Sequence, residues 1–317
     1  MSQYDFIYDD ASTIKIPFYT ELKSMFNKRF YAFSSKESLK LFIKSQNRMD
    51  KPSSIQRLDN SQYIGIPLFE CRMKKDASYI FTKKRNNLII YKYIVLPSDE
   101  NDTQRKHLMS EYLENKEYEF VCNNEEHNIS IYKVVYSEVD NKSGMLSMET
   151  ARTYTLKFRN DPVVMSFLTY DDYVKVKSSL FPNSKWIYND NLGDVKVDDF
   201  FMEDNFKLML EDKSIACEFD NKHRSNKWVT HTLDEYMGLL KIADNTNPPA
   251  FPLNEKVQYH DNSLLSEFSE KAICMTFILI VRQKYRSRAM IVNGQNNGYS
   301  MTPTIINGTV VLVPHVF

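Results

Sequence analysis

The sequence predicts an α+β chain, mainly antiparallel β hairpins folded as an OB-like or related barrel with peripheral helices. Two observations predict it. Alternating or continuous apolar runs of strand length recur in pairs from Tyr63 onward, each pair separated by asparagine-rich turn residues. Three such hairpins in succession mark an antiparallel sheet or barrel. Only 7 glycines occur, and none forms a GxGxxG or GxxxxGK[ST] cradle, which argues against nucleotide-dependent enzymes of the usual kinds.

At 317 residues the chain can bury a sizeable core, and 42% hydrophobic with 26% charged residues is a globular balance. The longest apolar run, Ile273 to Val281, is about half of what a bilayer span needs, so no membrane partner is expected. The acidic start MSQYDFIYDD lacks a signal-peptide pattern, which predicts an intracellular protein. Cys71, Cys122, Cys217 and Cys274 lie far apart with no CxxC pair, as suits reduced core thiols. Neither a metal nor another cofactor is expected.

Taken in order, residues 1–62 read as a helical, basic N-terminal region. Pro17 opens a helix running to about Arg29; Ser34 with Glu37 forms a capping box for a second, with Leu39, Phe42 and Ile43 on one stripe and Lys36, Lys40 and Lys44 on the exposed face. Asn47 to Asn60 is a loop. Residues 63–243 form the β-rich core. Its strands are Tyr63–Cys71, Ser78–Thr82, Leu88–Leu96, Tyr118–Cys122, Ile129–Val139, Thr153–Phe158 and Val163–Leu168. Their turns are Lys83 to Asn87, Asn123-Asn124 and Asn160-Asp161-Pro162. Thr103 to Lys116 is a polar surface helix. Thr169, Asp171 and Asp172 start a short helix ending near Leu180, Asp198 to Glu211 is an acidic helix, and Ile215 to Phe219 is a strand. Thr232 and Glu235 cap an amphipathic helix carrying Leu233, Tyr236, Met237 and Leu240.

Residues 244–256, beginning DNTNPPAFP, are a proline-rich linker. Residues 257–317 are a C-terminal strand block packing back on the core. Ile273–Val281 is too short for a sizeable helix and reads as a buried strand, Ala289–Val292 as a second, and Thr304–Val313 as a third. No Asp or Glu follows Lys271, so this block carries a positive rim.

Net charge is +0, yet Lys15 to Tyr93 holds 17 Lys or Arg against 6 Asp or Glu. Such polarity points to an anionic partner on one face. Cations interleaved with aromatic rings suit single-stranded DNA or RNA, because ammonium and guanidinium groups track phosphates while rings stack on bases. The candidate nucleic-acid-binding residues are Lys74, Lys75, Lys83, Lys84, Arg85, Tyr91, Lys92 and Tyr93; Arg152, Lys157 and Arg159; and Arg282, Lys284, Tyr285, Arg286 and Arg288. If the last group is extended, its cations at alternate positions project from one face. The bland alternative is that the rings are core and the bases guard hairpin edges.

Three metal patterns are weaker. Cys217, His223 and His231 match no zinc spacing, nor do Cys122 and His127, while Asp199, Asp220 and Lys222 mimic a metal-dependent nuclease by a pattern short enough to arise by chance. No catalytic residue is assigned.

The size, the lack of enzyme motifs and the stretch CMTFILIVRQKYRSRAMIVN resemble the single-stranded DNA-binding proteins of insect large DNA viruses, the baculovirus type. The resemblance implies a non-catalytic replication protein that coats DNA in the host nucleus without a cofactor. A viral structural or assembly protein, using the same strands in a homo-oligomer, and a metal-dependent nuclease are the rival readings.

Overall fold

The computed structural model describes residues 13–24, 27–58, 63–73, 88–143, 152–158, 161–167, 173–188, 205–220, 235–243, 265–296, 299–306 and 309–316. The chain divides into two compact units, Met1–Asp194 with Glu203–Thr276, and Val195–Met202 with Phe277–Phe317.

The first unit begins with strands β1 (Thr13–Ser24) and β2 (Asn27–Ala32), helix α1 (Lys36–Lys44), and the short strands β3 (Gln56–Arg57) and β4 (Tyr63–Ile64). Strands β5 (Phe69–Met73) and β6 (Leu88–Pro97), helix α2 (Thr103–Tyr112), and strands β7 (Tyr118–Asn124) and β8 (Ile129–Ser143) follow. Then come β9 (Arg152–Lys157), β10 (Val163–Phe167), β11 (Tyr173–Lys177), β12 (Lys185–Tyr188), β13 (Phe206–Met209), β14 (Ile215–Asp220) and β15 (Glu235–Ala243). The chain ends with helix α3 (Glu267–Asn296) and the strands β16 (Tyr299–Ile306) and β17 (Thr309–Val316).

The strand order β6-β5-β2-β1-β15-β14-β13-β12-β11-β10-β9-β8 closes on itself because β8 also pairs with β6, from Leu88 opposite Val139 to Pro97 opposite Ile129. The result is an antiparallel barrel of twelve strands, with β7 added to β8 outside the ring. This is the antiparallel barrel that the hairpins predict. Closure removes the free edges of the ring strands.

A ring of this size leaves a lumen that side chains alone do not fill. The start of α3 fills it. Ala272, Ile273, Cys274, Met275 and Thr276 are all buried, and a helix that is buried all round sits in a core. Its neighbours come from well-separated places on the ring. Glu270 meets Lys92 of β6 at 2.7 Å and the Tyr136 hydroxyl of β8, Lys271 meets Asp161 at 2.8 Å, and the Trp186 indole N–H of β12 points at the Met275 sulfur at 3.5 Å. Inward rings pack around this axis: Phe18 lies edge-on to Phe219, which stacks on Phe206, and Trp186 stands edge-on to Phe206.

A second apolar layer covers part of the outer wall. Tyr19, Tyr31, Phe33, Tyr93, Val95, Ile129 and Ile131 pack against Leu39 and Phe42 of α1 and Met49, Ile55, Tyr63 and Ile66 beyond it. In α1 the N-cap is Ser35, whose hydroxyl accepts from the Ser38 N–H at 3.0 Å, one position after the expected Ser34. Lys36, Lys40 and Lys44 are exposed as expected, but Ile43 is exposed too.

Several expected helices are strands. Pro17 lies within β1, where Ile14, Ile16 and Phe18 alternate into the barrel, so residues 13–32 supply two ring strands and not a helical region. Residues 173–177, 206–209 and 235–243 are β11, β13 and β15, because the closing ring supplies hydrogen-bond partners on both sides that outweigh helix-like caps. The turn expected at Asn123-Asn124 falls later: both residues end β7, and Asn128 carries the positive φ of 52°.

The largest correction concerns Ile273–Val281, expected as a strand but helical and buried throughout. A short apolar run is compatible with either state, and for Ile273–Thr276 the lumen of the first unit selects the helix. Its start was marked in the sequence: the Ser266 hydroxyl accepts from the Ser269 N–H at 3.1 Å, and Glu267 and Glu270 occupy the first turn. Ala289–Val292 is helical as well, while the third expected strand is a hairpin, β16 paired with β17. The hairpin Lys83–Asn87, the strand Ser78–Thr82 and the linker 244–256 lie outside the described residues.

Candidate functional site

Among the described residues, the expected basic and aromatic side chains are engaged in different ways. Lys74, Lys75, Lys83, Lys84, Arg85 and Arg159 lie outside the described residues. Lys92 points into the barrel, where its ammonium pairs with Glu270, so it is a core cation and not a surface one. Arg152 begins β9, and Lys157 is exposed but held by Asp140 at 2.6 Å. Arg282, Lys284, Tyr285, Arg286 and Arg288 all lie on α3. Alternate positions of a helix are about 200° apart, so positions 282, 284, 286 and 288 do not share one face as they would on a strand.

Tyr91 and Tyr93 belong to a polar ladder on the outer wall. Glu70 of β5 is fully buried and accepts from the Tyr93 hydroxyl at 2.9 Å and the Lys133 ammonium at 3.2 Å, with the Arg29 guanidinium 3.7 Å away. Lys133 also reaches Glu119 at 3.1 Å. Arg72 contacts Glu119 and the Tyr91 hydroxyl, and its guanidinium lies 4.2 Å from the Tyr91 ring centre. Burial, with the nearby Glu70 carboxylate, pushes the Tyr93 phenol well above its ordinary value, so it stays a neutral donor. Each cation here meets a carboxylate. The ladder braces the wall and offers phosphates little unbalanced charge.

The unbalanced charge is elsewhere. Strands β10 to β13 carry Lys175, Lys177, Lys185 and Lys207 and no Asp or Glu. The inward positions of these strands, among them Val174, Val176, Trp186 and Leu208, are buried, so the lysines alternate onto the outer face. Lys175 and Lys177 are exposed, Lys185 and Lys207 half-buried. Register places Lys175 directly opposite Lys185, and Tyr173 opposite Ile187, which in turn faces Lys207. The Lys175 and Lys185 ammonium groups lie 5.9 and 5.1 Å from the Tyr173 ring centre. Thr153, Thr155 and Ser166 continue the face with half-buried hydroxyl-bearing side chains. Carboxylates flank it on either side: Asp140 on β8 binds Lys157, and Glu218 on β14, opposite Lys207, lies 3.9 Å from Lys241.

None of the four lysines was among the residues expected from the sequence. The signal was the alternation Tyr-Val-Lys-Val-Lys at 173–177, a period of two that the preceding Thr169 and its acids disguised as a helix start.

The metal patterns gain no geometry. No group of three or more potential ligands is present among the described residues. Cys217 is buried in the barrel wall, and His223, His231, Asp199 and Lys222 lie outside the described residues. His127 is engaged by the Ile55 carbonyl at 2.9 Å and packs edge-on to Tyr63. Among the described residues, no helix is long and apolar enough to cross a membrane.

No curated protein and no solved structure matches this chain. A family model, DIA1, matches residues 15–288, from the first barrel strand through most of α3. The chain belongs to the DIA1 family.

Proposed function

We propose that this protein is a non-catalytic binder of single-stranded nucleic acid, held across the outer wall at β10–β13. One observation carries the reading: Lys175 and Lys185 stand opposite one another beside the Tyr173 ring, with no carboxylate on those strands. Ammonium groups track a phosphate backbone, and a ring beside them offers a surface for a base. The hydroxyl-bearing residues of β9 and β10 extend the same face. A coat of this kind suits a replication protein and needs no cofactor. The test is a titration of labelled single-stranded and double-stranded oligonucleotides at two salt concentrations. Single strands should bind more tightly, and the double variant K175E/K185E should flatten the salt slope by about 1.4, since each lost contact to a single strand removes about 0.7. Equal or tighter duplex binding, or an unchanged slope, would refute the proposal.

A second reading, an assembly protein, is favoured by β7. It pairs with β8 alone and exposes Tyr118 and Phe120, the latter at 56%. Its single acid, Glu119, is already held by Arg72 and Lys133, so the strand lacks the charges that blunt most edges. If this edge joins copies of the chain, F120S lowers the sedimentation coefficient; one value for both proteins at every concentration dismisses the reading.

A further inference from the structure

Directly opposite residues on antiparallel strands have Cβ atoms about 4.5–5.5 Å apart, and like charges there destabilise the sheet. Another opposed pair of cations on this barrel is offset. Arg29 stands opposite Arg72, but Glu70 and Glu119 answer them. Lys175 and Lys185 receive no such partner from their own strands or from the neighbouring β10 and β13, and Lys177 adds a further positive charge two positions along. The fold therefore tolerates a local repulsion that a bound anion would relieve.

The spacing restricts which anion does so. The Lys175 and Lys185 ammonium groups lie 5.9 and 5.1 Å from the same ring centre, so both flexible side chains can reach one anionic group beside it, to which an internal phosphodiester brings only a single charge. A terminal phosphomonoester carries about −1.5 to −2 near pH 7 and presents three acceptor oxygens. Such a group answers both lysines at once. Tyr173, next to both, then lies where the terminal nucleotide of the strand would rest.

We infer that Lys175 and Lys185 form a terminal-phosphate site, which holds the phosphorylated end of the strand while Lys177 and Lys207 contact its internal phosphates. The inference rests on the nucleic-acid reading above and narrows it to a strand end.

The test uses the full chain and short single-stranded oligonucleotides of one sequence bearing a 5′-phosphate, a 3′-phosphate or hydroxyl ends. One phosphorylated form should bind about fivefold more tightly than the hydroxyl form, the gain from two partly exposed ion pairs. K175Q and K185Q should each bring that ratio to about one, whereas K207Q should weaken all forms by a common factor and keep the ratio. K40Q, on the far-removed sequence of α1, serves as the control and should change neither. Equal affinity for phosphorylated and hydroxyl-ended strands overturns the terminal-phosphate site while leaving strand binding intact. A failure to bind any oligonucleotide removes the broader reading and this one with it. Vesicles containing phosphatidic acid form the last arm: Lys185-dependent capture by them, without a preference among the oligonucleotides, assigns the phosphate to a lipid and overturns the inference.

Discussion

Lys271 of α3 and Asp161, in the connection between β9 and β10, are 110 residues apart in sequence and 2.8 Å apart in space. Asp161 also accepts from the Ser178 hydroxyl at 2.8 Å and the Ser179 N–H at 3.0 Å, so one carboxylate ties two hairpin ends to the central helix. Burial opposes its ionisation, but the hydrogen bonds from Lys271, Ser179 and Ser178 together outweigh burial and hold the carboxyl well below the usual range.

Asp161→Asn should therefore destabilise the barrel. Lys271 is 1% exposed and, among the described residues, keeps Glu267, itself largely exposed, as its charged partner. Breaking a buried pair costs about 3–5 kcal/mol, and the surviving partner should reduce this to about 2–3. Because the folded carboxyl is depressed, its contribution is full above the ordinary carboxyl value of about 3.9 and is lost as pH falls toward the folded one. Urea midpoints at neutral pH and at progressively lower pH should converge for wild type and variant on the acid side. A constant difference across that range would remove Asp161 from this role.

Lys92 and Glu270 fasten the helix to β6 at 2.7 Å, and Tyr136 shares the same carboxylate. Removing either charge alone strands the other in the core, while removing both does not. A double-mutant cycle with K92M and E270M should show a coupling of about 1–3 kcal/mol, the double variant being less damaged than the sum of the singles. Additive losses would mean that the two side chains act independently.

Gly238 sits at a bulge where the β1–β15 register shifts, with φ of 148°. A Cβ there would lie 2.6 Å from the Phe219 ring and 2.8 Å from the Asp220 carbonyl. Gly238→Ala should cost about 1–3 kcal/mol, from backbone strain and the displaced ring. Thermal denaturation measures it, and an unshifted midpoint contradicts the assignment.

All four cysteines are free, and Cys71, Cys217 and Cys274 are buried. Cys122 is only partly covered, yet burial, aided by the Asp50 carboxylate, pushes its thiol up to about 11. Thiolate is the reactive form, so alkylation at neutral pH should be slow at Cys122 and slower still at Cys71 and Cys274 until the protein unfolds. Mass spectrometry after timed labelling reads this directly; rapid modification of Cys71 in the native protein would contradict the buried placement.

Local features of the sequence determined the hairpins. Thr153 to Phe158 and Val163 to Leu168 alternate in period two around an Asn-Asp-Pro turn, and β9 and β10 pair there, because a hairpin is specified by residues close along the chain. The stripe Leu39 and Phe42 likewise specified α1. Tertiary structure decided the rest. Ile273–Thr276 is compatible with strand or helix, and the space inside a twelve-stranded ring made it helix. Residues 235–243 carry a helix-like cap, yet lie between β1 and β14, where both strand edges need partners. The lysines of β11 and β12 could be seen to alternate, but that Lys175 faces Lys185 follows from register, a property of two strands together that neither strand's residues express alone.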